Sequence, residues 1–328
     1  MALERFSAKP ERLRVAKTRP AQKPEPLNDP RGSEKALDLD VLWRGPLESC
    51  NYGCVYCPFA KTKDDRAALA RDAAALNRFA DWVLARPAED RLRILFTPWG
   101  EALIRRPYRE ALIRLSHGPQ VQRVAIQTNL SCSVAWMRDL NRATASFWCS
   151  FHPGETPRES FLRSCRAMAE MGVSFCVGIV GIREHLPEAR RLREDLPEGV
   201  YLWVNAYKDG DPDYDDAESL AGWREIDPLF DLNRRAYPSL GRPCAAGSTA
   251  ISVNGEGEVR PCHFIGESMG NLYARPIEEI LAPRLCSRAS CSCHIGYVHM
   301  KDLGIDPLFA DGWALGRLAP QPGARAYG

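Results

Sequence analysis

The chain has 328 residues, 45% of them hydrophobic and 26% charged, with a formal net charge of +2. That length suits one large domain with an appendage, and the balanced charge offers no footprint for nucleic acid or an anionic membrane as partner. No apolar run approaches a membrane span and no secretion signal opens the chain, so the twelve cysteines read as metal ligands and buried thiols of a reducing cytoplasm.

Residues 1–38 are rich in Pro, Arg, Lys and Glu and read as a disordered, basic tail. A strand–helix alternation follows. Strands are expected over 39–44, 93–96, 121–127, 146–151, 174–180 and 200–205, and helices over 65–84, 108–116, 135–140, 159–171 and 187–195. Short apolar strands alternating with helices imply an α/β fold with a parallel sheet, either doubly wound or curled as part of a barrel, over residues 39–207. In both forms ligands collect at the C-terminal strand ends. A helical linker is expected over 208–235 and a small Cys-rich α+β domain over 236–300, built around a hairpin at 251–260 with Asn254-Gly255 at its turn. The Gly/Pro/Arg-rich stretch 301–328 is expected to fray.

The densest chemical signal is Cys50-Asn51-Tyr52-Gly53-Cys54-Val55-Tyr56-Cys57, just past the first strand. Three thiolates at this spacing can wrap a corner of an iron–sulfur cubane, and since a protein-held cubane usually takes four cysteines, three leave one iron open. Structural zinc would ask for further ligands near this loop, and a disulfide for an oxidising compartment. Pro98-Trp99-Gly100-Glu101, Thr128-Asn129, His152-Pro153 and Asn205 also follow strands and belong to the same rim.

The cysteine spacing, with Tyr56 before the last thiol, resembles the signature of radical S-adenosylmethionine (SAM) enzymes. The resemblance implies a partial (β/α)6 barrel with a [4Fe-4S] cluster on Cys50, Cys54 and Cys57. The open iron would chelate SAM, whose reductive cleavage gives a 5′-deoxyadenosyl radical that abstracts hydrogen from substrate. By the same resemblance Gly100 and Glu101 stand for a Gly-Gly-Glu motif that holds the SAM amino group, with Trp99 in place of its first glycine. Ile179 would pack on adenine, Ser150 would contact the SAM ribose and carboxylate, and the backbone at Asn205 would contact adenine. Cys244, Cys262, Cys286, Cys291 and Cys293 resemble the twitch half of a SPASM extension. That implies a second, auxiliary [4Fe-4S] cluster on four of the five, with zinc as the rival occupant and His263, His294 or His299 as extra ligands.

Cys132, at the rim, is a candidate hydrogen-atom donor as in epimerases of this family, and His152 a substrate or proton-carrying residue. Cys149, Cys165 and Cys176 read as buried inert thiols. The implied partners are a reductant such as flavodoxin or ferredoxin and a peptide or small-molecule substrate, with neither nucleic acid nor membrane. The implied reaction is an oxidation, a bond formation or an epimerisation. The rival reading is a non-catalytic electron-transfer or scaffold protein holding two metal centres. Strings such as Cys293-His294-Ile295-Gly296-Tyr297 are similar to a bacterial radical SAM family of unassigned substrate.

Overall fold

Six parallel strands form the centre of the molecule: β1 (Asp38–Arg44), β2 (Arg91–Phe96), β3 (Val121–Thr128), β4 (Ala145–Phe151), β5 (Ser174–Gly181) and β6 (Leu202–Ala206). The computed structural model describes residues 36–59, 62–208, 214 and 216–324. Nearly all of the tail expected over 1–38 therefore lies outside the described residues. The crossover helices are α1 (Arg66–Leu84), α2 (Arg106–Ser116), α3 (Arg158–Glu170) and α4 (Leu186–Asp195). The Asp65 carboxylate caps α1 by accepting from Ala68 N at 2.7 Å, and Leu76, Phe79, Ala80 and Val83 give it a buried stripe. The helix expected at 135–140 is only a 3-10 turn, Ala135–Asp139; Met137 is its one buried residue, too little apolar surface to hold a longer helix.

After β6 come α5 (Ala217–Ile226) and α6 (Phe230–Arg234), where a helical linker is expected, then short elements. These are β7 (Tyr237–Pro238), β8 (Pro243–Cys244), β9 (Ala250–Asn254), β10 (Glu258–Arg260), β11 (Gly270–Asn271), α7 (Ile277–Ile280), β12 (Arg284–Leu285), β13 (Ser290–Cys291) and α8 (His294–Tyr297). The β9–β10 hairpin does not build a sheet of its own. β9 pairs in parallel with β1, giving one nine-stranded sheet in the order β11-β10-β9-β1-β2-β3-β4-β5-β6. Gly257 in its turn has φ +81°, and a Cβ there would fall 2.3 Å from the Tyr273 ring, so only glycine fits.

Strand alternation sorts side chains into two cores. Leu39, Val41, Trp43, Ile94, Phe96, Phe147, Val177 and Val204 pack under the helices, where Trp43 stacks on Phe79 at 5.6 Å and meets Phe96 edge-on at 5.5 Å. Each such buried aromatic or aliphatic side chain contributes about 1.5–3 kcal/mol. Leu42, Leu95, Ala125, Trp148, Cys176 and Trp203 face the concave side, the lumen. The C-terminal segment expected to fray is packed into this lumen core instead. Trp313, Ala314 and Leu315 are buried there, Trp148 Nε1 donates to Gly316 O at 2.6 Å, and Trp313 Nε1 donates to Asp40 Oδ1 at 3.1 Å. Its Trp and Leu side chains gain more from burial than the glycines and prolines around them cost in order. Among the described residues, no helix is long and apolar enough to cross a membrane.

Asp72 on α1 is the buried polar tie of this scaffold: it accepts from the Tyr108 hydroxyl of α2 at 3.0 Å and from the Leu47 backbone, just before the cysteine loop. Burial pushes its carboxyl from the usual 3.8 up to about 6. Because the folded value lies above the unfolded one, the stability cost is absent below the unfolded pKa and complete above the folded one, so stability falls as pH rises between them. The shift corresponds to at most about 3 kcal/mol. Asp72→Asn should lose correspondingly less stability than the wild type between about pH 4 and pH 7 in urea melts. Parallel pH curves for the two proteins would rule this account out.

Candidate functional site

The strand register sets which groups reach the C-terminal rim. β1 Leu42 lies beside β2 Leu95 and β9 Ser252, and β4 Ser150 beside β5 Gly178, which in turn lies beside β6 Trp203. Continuing the alternation, the last lumen-facing residues are Arg44, Thr97, Gln127, Ser150, Val180, Asn205 and, on β9, Asn254. Ser150 and Asn205 thus fall in the lumen phase at the rim. Ile179 does not: it is 1% exposed within the helix-side core. Cys132 likewise packs against the helix-side core instead of entering the lumen, and burial pushes its thiol up to about 11. Each turns away because it falls one residue out of phase with the lumen face or lies past the strand altogether.

The cysteine loop crosses this rim and is tied down by three neighbouring strand ends. Asn129, after β3, donates through Nδ2 to Asn51 Oδ1 at 3.1 Å, and Asn51 Nδ2 donates to Ser131 Oγ at 3.0 Å. Gly53 N donates to Glu155 Oε2 at 3.0 Å. Tyr56 OH lies 2.8 Å from His152 Nδ1, with the two rings stacked, and Cys54 Sγ lies 3.4 Å from the same nitrogen. Burial holds His152 down at about 4, hence neutral, and pushes Cys54 up to about 11. His152 therefore serves the loop itself. A Cβ on Gly53 would find Glu155 Oε1 at an ordinary 3.8 Å, so the protein around it does not require glycine.

Gly100 is different: a Cβ there would sit 1.8 Å from the Ser49 carbonyl oxygen. Only glycine lets the β2 loop lie against the backbone leading into Cys50, where Glu101 N donates to Ser49 O at 3.2 Å. The Glu101 carboxylate, expected to reach a cofactor amino group, is buried and occupied. Its Oε1 accepts from Leu103 N and Thr128 Oγ1, both at 2.9 Å, and its Oε2 from Asn129 N at 2.5 Å. Burial pushes it up to about 7. Leu130 N donates to Thr128 Oγ1 and Ser131 N to Asn129 Oδ1, and these bonds draw Leu130 into a left-handed turn with φ 56°.

The second cysteine group assembles from separate short strands. Pairing of β8 with β12 sets Cys244 opposite Arg284, two residues before Cys286, and Cys286 N donates to Arg242 O at 3.1 Å. Burial is the main force pushing the thiols of Cys262 and Cys291 up, to about 11 and about 12. The charges of Cys244, Cys286 and Cys293 add to both shifts, and that of Cys262 adds to the Cys291 shift. All five thiols therefore share one neighbourhood. Glycine at 296 leaves room for Cys291, whose Sγ would lie 2.8 Å from a Cβ there. Two of the three histidines considered as extra zinc ligands are committed elsewhere, while the third, His299, is buried with no hydrogen-bond partner on Nε2 among the described residues. His263 sits between Thr97 Oγ1, at 2.8 Å from Nε2, and Ser252 Oγ on Nδ1; His294 contacts Tyr297 OH at 3.2 Å and Ala314 O at 2.9 Å.

Among the described residues, no three His, Cys, Asp or Glu side chains converge as ligands of a single ion. A cubane asks for a different arrangement, with thiolates on separate corners. The loop of Cys50, Cys54 and Cys57 fits that demand: three thiols on one turn, with Cys54 and Cys57 charge-coupled and Cys50 coupled to Cys57. Sequence reasoning put Asn129 at the rim without its anchoring role, and it missed Asn51 and Glu155 as anchors, and Arg44. Arg44 had a usable signal, a charge closing the lumen phase of Asp40 and Leu42.

No protein-family model matches the chain, and no curated protein matches it. Solved structures do. Native anSMEcpe with bound AdoMet aligns over 74% of this chain and 80% of that one at 15% identity, with a TM-score of 0.50. The same protein with bound AdoMet and the Kp18Cys peptide gives the same identity, coverage and score. Streptococcus suis SuiB bound to S-adenosylmethionine aligns over 74% of this chain and 65% of that one, at 15% identity and a TM-score of 0.47. At such identity the likeness is one of fold, and the fold of this chain, a partial barrel with a cysteine loop at its C-terminal rim, is that of the radical SAM enzymes.

Proposed function

We propose that the protein is a radical SAM enzyme that abstracts hydrogen from an unactivated carbon of its substrate. The observation that carries this is the loop of Cys50, Cys54 and Cys57, strapped across the C-terminal rim by Gly100, Asn129 and His152. Cys50, Cys54 and Cys57 would hold a four-iron cluster, which when bound would supply the electron for reductive cleavage of SAM. Asn129 and Asn51 fix the loop on the Cys50 side, and Tyr56 with neutral His152 fixes it on the Cys54 side. Backbone carbonyls around Gly100 are the natural acceptors for the SAM amino group, with Glu101 ordering the loops around them. Ser150 and Asn205 offer polar groups to the ribose and adenine. The packed lumen floor of Trp148, Trp203 and Leu315 excludes water from below.

The five C-terminal thiols suffice for an auxiliary cluster without a histidine ligand, and of the three histidines a zinc site would draw on, His263 and His294 are spent on other partners. Such a centre would take or deliver electrons, which fits an oxidation or bond formation, with a small iron–sulfur or flavin protein as reductant. A peptide is the favoured substrate class, supported by the similar enzyme solved with AdoMet and a peptide.

Gly100→Ala should abolish SAM cleavage while leaving the fold intact, because the added methyl displaces the backbone entering Cys50 without touching either core. Cleavage at the wild-type rate would refute this placement of the loop. Anaerobically reconstituted protein should hold about eight irons, two cubanes, per chain. Cys57→Ala and Cys262→Ala should each lower that to about four, with only the second keeping SAM binding. An iron content unchanged by Cys262→Ala would remove the auxiliary cluster from the reading.

A further inference from the structure

A cavity of about 200 Å³ opens at the rim beside the cysteine loop, lined among others by Arg44, Trp99, Ser252, Asn254, Arg260 and His263. Most of its polar lining is already paired. His263 is held by Thr97 and Ser252; Asn254 Oδ1 accepts from Glu256 N and Glu258 N; Arg260 is ion-paired with Glu258 at 2.7 Å. Glu256, exposed on the hairpin turn, forms no ion pair with Arg44.

Arg44 is the exception. Its Nε donates to Thr97 O at 2.7 Å and its guanidinium lies over the Trp99 ring, 4.0 Å from the centroid. Among the described residues no carboxylate pairs with it, and its two terminal nitrogens make no hydrogen bond. Burial lowers it to about 10, opposed only by the nearby Cys293 thiol. The cation is half-buried and has no carboxylate partner, so a ligand that supplies one gains a charge-assisted pair in a partly desolvated site. With Nε anchored and the plane held by the indole, the guanidinium offers its free end as a fixed two-pronged donor, the match for a carboxylate. This also gives a use to Trp99, the residue that departs from the usual glycine.

The geometry points to a carboxylate-bearing substrate, anchored end-on by Arg44 on its Trp99 platform in the rim cavity. The inference rests on the radical SAM reading and names its substrate class: a peptide with an acidic side chain or a free C-terminus. It also accounts for the cavity's size, which suits one small side chain and not a whole cofactor.

The test is residue-resolved labelling of the wild-type holoenzyme with phenylglyoxal, read by peptide mass spectrometry, with N-acetyl-L-aspartate as probe. Saturating probe should slow labelling of Arg44 roughly tenfold, as a charge-assisted two-pronged pair covers the guanidinium. It should leave the exposed Arg106 unaffected. The uncharged N-acetyl-L-asparagine amide should give no protection, and Trp99→Gly should lose most of the protection seen in the wild type. Equal protection by the neutral analogue, no protection by either, or stronger protection by inorganic phosphate would each overturn the proposal. SAM binding is measured on the same samples by equilibrium dialysis. Its absence would sink the enzyme reading while leaving the Arg44 result to stand or fall alone.

Discussion

The rim of this protein hangs on one buried carboxylate. Glu101 accepts hydrogen bonds from the loops after β2 and β3, while its own backbone N–H reaches across to Ser49 at the entrance to the cysteine loop. Three strand ends are thereby fixed to one another within a few ångströms. Burying a carboxyl is expensive unless donors surround it, and here they do, although burial still pushes it up to about 7. The glycine before it allows the approach of two backbones that the arrangement needs. Asn129, positioned by this carboxylate, carries the restraint on to Asn51 and the neighbourhood of Cys50.

The same sheet separates two kinds of packing. Its helix side is a conventional apolar core, whereas its lumen side is closed at the bottom by the chain's own C-terminal segment. Arg317 illustrates how complete that closure is. It is buried with its guanidinium 4.4 Å from the centroid of the Trp203 ring, in a left-handed backbone conformation with φ 51°. The lumen is thus packed with apolar side chains below, while polar ones line the rim on the cysteine side.

The two cysteine groups are linked mechanically by His263. Its ring spans from Thr97, the last residue before the Pro98-Trp99 loop, to Ser252 on β9, and it directly follows Cys262. The hairpin that carries Cys262 is therefore registered against the β2 loop both by strand pairing and by this imidazole bridge. The rim cavity with Arg44 lies along that seam, with His263, Ser252 and Trp99 in its lining.

Much of this was legible in the sequence because it depends on local order. Strand and helix positions follow from apolar periodicity, and the cysteine loop follows from spacing within eight residues. The short helix near Met137 and the fraying of the C-terminus were misread. At Met137 a single buried side chain gave too little apolar surface to hold the expected helix, and at Trp313 burial in the lumen core outweighed a Gly/Pro-rich local sequence. Alternation groups a strand's residues by phase, as for Arg44 with Asp40 and Leu42, but only packing showed that the phase of Ile179 is the helix side. The partners of Glu101, the gathering of five thiols from four short strands and turns, and the unpaired Arg44 guanidinium all join residues far apart in the chain. The amino-acid order by itself determined the chemistry available at the rim. Tertiary packing decided which of those groups are already spent on one another and which are left for a substrate, because burial charges each polar group for a partner that only the folded chain can bring to it.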